Sequence, residues 1–385
     1  MLNEMINKLY NNIRTHLTSY QWHSFLSMVI GICVTDGRKS LKALSYLASS
    51  PALSRFFNGD KWPSQLVKSF QRKLVLNLIK RHYWNKRGRN PTVYLLIDGA
   101  VLPKRGKELP KVGLHYDTRT RGLRWGQKLV ISSLKVGKLL LPWDFRTYVN
   151  KKRCKEEDFE KSTQQAAEMI REFDRSFPLD CNVVVAVDGG LCVKRVIEAA
   201  DQAGFDLVGR VRRDRRLQDN SDISEVNSGT VGKLNGINIP VQVVGRYMEG
   251  RREILISTDT TIGPVQVRRR MKRRWWAEKM NGELKSLGLE DCSCRGDYSV
   301  ERWTGLVMLA FTLLATVRYE GSTDGWPSWS EVGERVAKAL VRYGRWWEKS
   351  WLRRGLIHLK EKTPLFKPLL ELITSRSYRD QLEAI

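Results

Sequence analysis

Asn182-Val183-Val184-Val185-Ala186-Val187-Asp188-Gly189-Gly190 decides the fold. Its run of apolar residues, mostly β-branched, has no polar alternation and stops at an aspartate followed by two glycines. Such a run reads as a strand covered on both faces, at the centre of a sheet. Thr92-Val93-Tyr94-Leu95-Leu96-Ile97 has the same build and stops at Asp98-Gly99. Between them lie strand-like Val112 to Tyr116, Lys128 to Leu134, and Leu139-Leu140-Leu141 after a turn at Gly137. A helix is expected from Glu156 to Phe173, with apolar positions at Phe159, Ala166, Met169, Ile170 and Phe173. A helix from Val193 to Ala203, then Gly204 and a strand from Asp206 to Val211, complete the pattern. Three strands, a crossover helix and a strand-helix-strand unit predict an α/β fold, a mixed sheet with parallel central strands.

Outward from this core the pattern changes. Residues 1–90 read as helical, with apolar residues at helical spacing through Trp22, Phe25, Leu26, Val29 and Ile30, and again from Leu66 to Ile79. They are expected to form a DNA-binding domain ahead of the core at 91–211. Residues 212–265 lose the helical period and read as a β-rich insertion of short strands with Gly and Asn turns. The core resumes at 266–320, with a helix across VRRRMKRRWWAEKMNGELKSLGLE and an apolar helix from Trp303 to Tyr319. Residues 321–385 read as a basic helical tail.

The chain carries 67 Lys and Arg against 41 Asp and Glu, a formal charge of +26, which calls for a polyanionic partner. Scattered cysteines and five histidines give neither a disulfide framework nor zinc-ligand spacing. The start lacks the build of a signal peptide, and the apolar run Thr304 to Val317 is shorter than the ~20 residues of a membrane span. A cytoplasmic, DNA-seeking protein is the expectation, with no membrane association.

Asp98 and Asp188 sit where α/β sheets place their sites, at strand ends with glycine beside them. Carboxylates there suit a hard divalent cation. No Gly-rich phosphate loop follows either strand. Glu278 is the candidate third acid: Arg274, Glu278 and Lys285, four and seven residues apart, share a helix face. Glu283 and Glu290 are rivals that spacing leaves open. Arg270, Lys272, Arg273, Arg274 and Lys285 are candidate phosphate contacts, and Trp275 and its neighbour Trp276 either stack on a base or pack on the core. Between Arg335 and Arg354 a second basic stretch interleaves arginines with Tyr343, Trp346, Trp347 and Trp351.

With these residues in view, the chain resembles the DDE transposases of bacterial insertion sequences, in the group whose third helix carries Y-(2)-R-(3)-E-(6)-K. Arg274, Glu278 and Lys285 match that signature, and Met271 stands at the tyrosine position. The resemblance spans roughly residues 90–320. It implies an RNase H-like fold, Asp98, Asp188 and Glu278 as a catalytic and metal-binding triad, Mg2+ (with Mn2+ as substitute), and double-stranded DNA as partner, both transposon terminal inverted repeats and target. It also implies a homodimer in the DNA complex, and cleavage at transposon ends followed by strand transfer. The rival readings are a nuclease of the same fold that does not join strands, and a non-catalytic DNA-binding descendant of a transposase.

Overall fold

The computed structural model describes residues 11–320 except 46–47, 60–61, 63, 85–89, 118–119 and 249–250, together with 332, 333 and 336. The basic stretch Arg335 to Arg354 lies outside the described residues, apart from Val336. Helices α1 (Ser19–Val34), α2 (Ser50–Asn58) and α3 (Ser64–Tyr83) come first. Strands β1 (Val93–Pro103), β2 (Val112–Asp117), β3 (Gly122–Val136) and β4 (Leu139–Tyr148) follow. Then come α4 (Ser162–Ser176), β5 (Val183–Val187), α5 (Lys194–Gln202) and β6 (Asp206–Val211). The last elements are β7 (Val231–Lys233), β8 (Pro240–Met248), β9 (Arg251–Ser257), α6 (Pro264–Lys272), α7 (Trp275–Ser286) and α8 (Ser299–Glu320).

The chain divides into two compact units, Val75–Glu283 and the remainder, Met1–Leu74 with Leu284–Ile385. In the second of these, α1 starts with a capping box: Thr18 Oγ1 accepts from the Gln21 N–H and Gln21 Oε1 accepts from the Thr18 N–H. Its core joins α1, α2 and α8 through Trp22, Phe25, Phe57 and Trp303, with Phe57 and Trp303 edge to face at 6.1 Å. Helix α8 is longer than the apolar run suggested. By length and composition it could cross a membrane, but 89% of its apolar window is buried, the position of a core helix.

Unit Val75–Glu283 holds the sheet, a mixed α/β arrangement compatible with an RNase H-like fold. Nine strands run in the order β2-β3-β1-β5-β6-β9-β8-β7, with β4 also on β3. Strands β1, β5 and β6 are parallel neighbours and the other pairs are antiparallel. The 212–265 segment adds its strands to this same sheet, because β9 pairs with β6. At the β3–β4 turn Gly137 adopts φ 51°, and a Cβ there would stand 2.2 Å from the Tyr83 ring. Glycine lets that ring close in, so that the Tyr83 hydroxyl accepts from the Lys138 N–H at 2.7 Å.

Three expectations are corrected. Strand β1 does not stop at Asp98. Its partner β5 ends at Val187, but β3 goes on pairing as far as Pro103 with Gly126 and satisfies the backbone there. The helix expected from Glu156 begins as a single 3-10 turn, Glu156–Asp158, and α4 starts only at Ser162. The basic helix after residue 265 is two helices. The buried residues of α6, Val267 and Met271, and those of α7, Ala277, Met280 and Leu284, would form stripes roughly 130° apart on one continuous helix of ~100° per residue. A turn at Arg273 and Arg274, whose N–H groups bond three residues back, re-aims the chain so that both stripes are buried.

Candidate active site

Sheet register sets the first half of the site. Ile97 pairs with Val187 across the parallel β1–β5 ladder, so the next residues, Asp98 and Asp188, emerge side by side. Asp98 Oδ1 accepts from the Gly99 N–H at 2.9 Å, and Asp98 Oδ2 accepts from the Asn281 side-chain amide at 3.2 Å. Asp188 pairs with Arg210 at 3.0 Å, and Arg210 in turn holds Glu253 at 2.8 Å. Gly189 makes this approach possible, since a Cβ there would meet Arg210 Nε at 3.3 Å.

Helix α7 brings the second half. Arg274, in the turn before it, contacts Glu278 at 2.5 Å, with the arginine side chain 18% exposed and the glutamate 50%. Burial works against the Arg274 charge, yet Asp188, Asp98 and Glu278 together raise its pKa above the ordinary value. The guanidinium is thus the shared counterion of all three acids. Asp98 is pushed up to about 6, first by burial and then by the like charges of Asp188 and Glu278, against the pull of Arg274 and the Gly99 N–H.

The donor set is all oxygen, the chemistry a hard divalent cation takes, and an acid raised to about 6 beside two others is one that such a cation would re-ionise. The residues fit the ion. The described residues contain no group of three His, Cys, Asp or Glu side chains already converged on one point; Arg274 contacts Glu278 and feels the charges of Asp98 and Asp188.

The remaining candidates scatter. Lys285, at the end of α7, pairs with Glu290 at 2.6 Å. Arg270 is held by Asp206 and Asp259, each at 3.0 Å, as a brace between β6 and the segment after β9. Lys272 and Arg273 are exposed, and so is Trp275 at 55%. The Trp276 ring carries Lys135 at 4.4 Å and Lys279 at 5.0 Å. Burial, then repulsion from Arg273 and Lys279, lowers Lys135 to about 8. Met271, at the signature's tyrosine position, is a core residue. Asn281 and Arg210 escaped sequence reading. Asn281 could have been found three residues beyond Glu278, on the same helix face; nothing local marks Arg210 as the partner of Asp188.

A family model described as DDE superfamily endonuclease matches residues 12–238, more than half of the chain. The chain belongs to this family. As a DDE superfamily endonuclease it is a nuclease-type enzyme, of a family that acts on DNA and generally uses divalent metals. The match takes in Asp98 and Asp188 and ends before Glu278. No curated protein matches the sequence.

Proposed function

We propose that this chain is the transposase of a bacterial insertion sequence, cutting DNA at transposon ends and joining the freed 3′-OH to target DNA. The observation that carries the reading is the side-by-side emergence of Asp98 and Asp188, with Glu278 tied to both through Arg274. The three acids are proposed to hold Mg2+, or Mn2+, and Arg274 to yield its place among them. Bound there, the metal would activate an attacking hydroxyl and stabilise the leaving oxygen of a phosphodiester. Asn281 and the Gly99 N–H orient Asp98, and Arg210 orients Asp188. Arg274, released, stands beside the scissile strand as a phosphate contact. Lys272 and Arg273 are exposed cations beside the exposed Trp275 and extend the proposed DNA surface, and Lys285 and Arg270 are further proposed contacts. A cytoplasmic homodimer pairing two ends, with residues 1–90 or the basic tail reading the terminal repeat, completes the proposal.

With labelled cognate ends and Mg2+, Asp98→Asn, Asp188→Asn and Glu278→Gln should each abolish strand cleavage while end binding persists. Wild-type cleavage by any one of them removes that residue from the site. Pre-cut ends supplied with a target plasmid should give joined product. Cleavage without joining would instead identify a nuclease of the same family.

A further inference from the structure

Strand β3 outruns two of its neighbours. Its pairing with β1 ends at Gly126 and with β4 at Lys128, so residues 122–125 lie beside β2 alone. What remains is a two-stranded ribbon at the sheet edge, with Leu114 opposite Trp125, His115 opposite Arg124 and Tyr116 opposite Leu123. The parallel ladder of β1 and β5 stops at Ile97, and β1 continues through Asp98 toward this ribbon. The ribbon is therefore carried past the strand ends on the side where Asp98 and Asp188 emerge. Six residues of β3 separate Ile131, the partner of Asp98, from Trp125, a span of ~20 Å at ~3.4 Å per residue.

Alternation along the strands gives the ribbon two different faces. His115 and Asp117 are buried, and Asp117 holds Arg124 at 3.7 Å. The other face shows Leu114, 50% exposed, Tyr116, 58%, and Leu123, 65%, with Trp125 half-buried beside them. An apolar face on an edge strand invites association, so its presence at a surface points to a partner. Basic groups surround it. The Trp125 indole N–H donates to the Gly106 carbonyl at 3.3 Å, and the Arg153 guanidinium lies 5.0 Å from the Trp125 ring centre. Trp125 thus ties the loop of Arg105 and Lys107 to the turn of Lys152 and Arg153, and all four cations are exposed. The nearby acids Glu156 and Glu157 are paired with Lys151 and Lys155.

Residues 103–125 hold seven Lys and Arg against two acids. Two of these cations, Lys111 and Arg121, stand immediately before β2 and β3 with φ 57° and 51°, in the left-handed region that favours glycine or asparagine. The chain keeps a long cation at both positions where backbone geometry alone would select a small residue. Cations around exposed apolar groups fit a DNA backbone, which offers phosphates and deoxyribose rings together. A second copy of the chain would bring the same positive charge to the face and be repelled. We propose that the β2–β3 ribbon holds the duplex flanking the cut, on its backbone about six base pairs from the scissile phosphate at ~3.4 Å per pair. Arg105, Lys107, Arg121 and Arg153 contact phosphates, and Tyr116 and Leu123 lie against the sugar edges. Such contacts position the duplex and carry no sequence preference. The proposal rests on the DNA-cleaving reading and extends its surface away from the acids.

The test uses the full chain in EDTA, so that no strand is cut, with a long duplex of random sequence read by fluorescence anisotropy across a salt series. Arg105→Gln combined with Lys107→Gln should reduce the slope of log affinity against log salt by about 2. Arg121→Gly should reduce it by about 1 without lowering the melting temperature, because glycine suits that backbone. Tyr116→Ser combined with Leu123→Ser should weaken binding about tenfold at fixed salt and leave the slope as it was. On a labelled cognate end, hydroxyl-radical protection about six base pairs from the cut should disappear in these variants while protection at the cut persists. Slopes, affinities and footprints equal to the wild type in all three variants overturn the proposal alone. A wild type that self-associates without DNA and turns monomeric in the Tyr116→Ser, Leu123→Ser variant, with duplex affinity unchanged, also overturns it and assigns the face to a second copy. No binding of the wild type to any duplex overturns it together with the DNA-cleaving reading.

Discussion

The two halves of the candidate site are held in different ways. Asp98 and Asp188 grow from adjacent parallel strands, where ladder spacing of ~4.8 Å fixes their separation. Each also has a side-chain partner, Asn281 for one and, shared with Glu253, Arg210 for the other. Glu278 stands on a helix face, 50% exposed, and meets the other two acids through Arg274. The strand half has its position dictated by the backbone. The helix half depends on a side-chain bridge from Arg274 to a half-exposed Glu278, which is expected to adjust more readily than a strand end when a cation enters.

Lengthening or shortening each acid by one methylene should expose that difference, and the largest effects are expected here. On the strand side, Asp98→Glu and Asp188→Glu push a carboxylate past a fixed position, and a misplacement of ~1 Å can cost about 10²-fold. Glu278→Asp should retain much more activity, within ~10-fold of the wild type, because α7 and Arg274 can follow. Single-turnover cleavage rates would measure the contrast. Equal losses on both sides would show that the helix half is as rigid as the strand half.

This division also marks what could be read from the amino-acid order. Val183–Val187 and the strand before Asp98 are legible because central parallel strands must be apolar on both faces. Glu278 needs more, since it becomes a candidate only through its spacing to Arg274 and Lys285. The turn at Arg273–Arg274 was hidden by charge: seven basic residues between Arg268 and Lys279 obscure the shift between two sparse apolar stripes. Arg210 is paired to Asp188 by sheet neighbourhood, across β5 and β6, which local sequence does not encode.

A second contrast concerns electrostatic cost, which falls on the strand half. The folded chain holds Asp98 near pKa 6 against an ordinary value of 3.8, so between those two values the native state binds more protons than the unfolded one. Stability in metal-free buffer should therefore fall as pH rises from about 4 to about 6, and stay lowered above that. Asp98→Asn removes the charge and should stabilise the metal-free protein at pH 7 by about 1–3 kcal/mol, seen in denaturant unfolding. The gain should vanish below pH 4, and Mg2+ should raise the melting temperature of the wild type more than that of the variant. An Asp98→Asn variant no more stable than wild type at pH 7 would mean that the site carries no such strain.

The smallest effects separate two arginines that look alike in sequence. Arg270 is braced by Asp206 and Asp259, whereas Arg273, three residues on, is exposed. Arg270→Met leaves two acids without their cation and should lower stability by about 1–3 kcal/mol. Arg273→Ala should leave the melting temperature within error and reduce the slope of log affinity against log salt for duplex DNA by about 1, the signature of one lost phosphate contact. The same slope change is expected for Lys272→Ala. Arg270→Met should lower the salt slope too if Arg270 reaches a phosphate as proposed, and a lowered slope with stability spared would show that its two acid partners are dispensable.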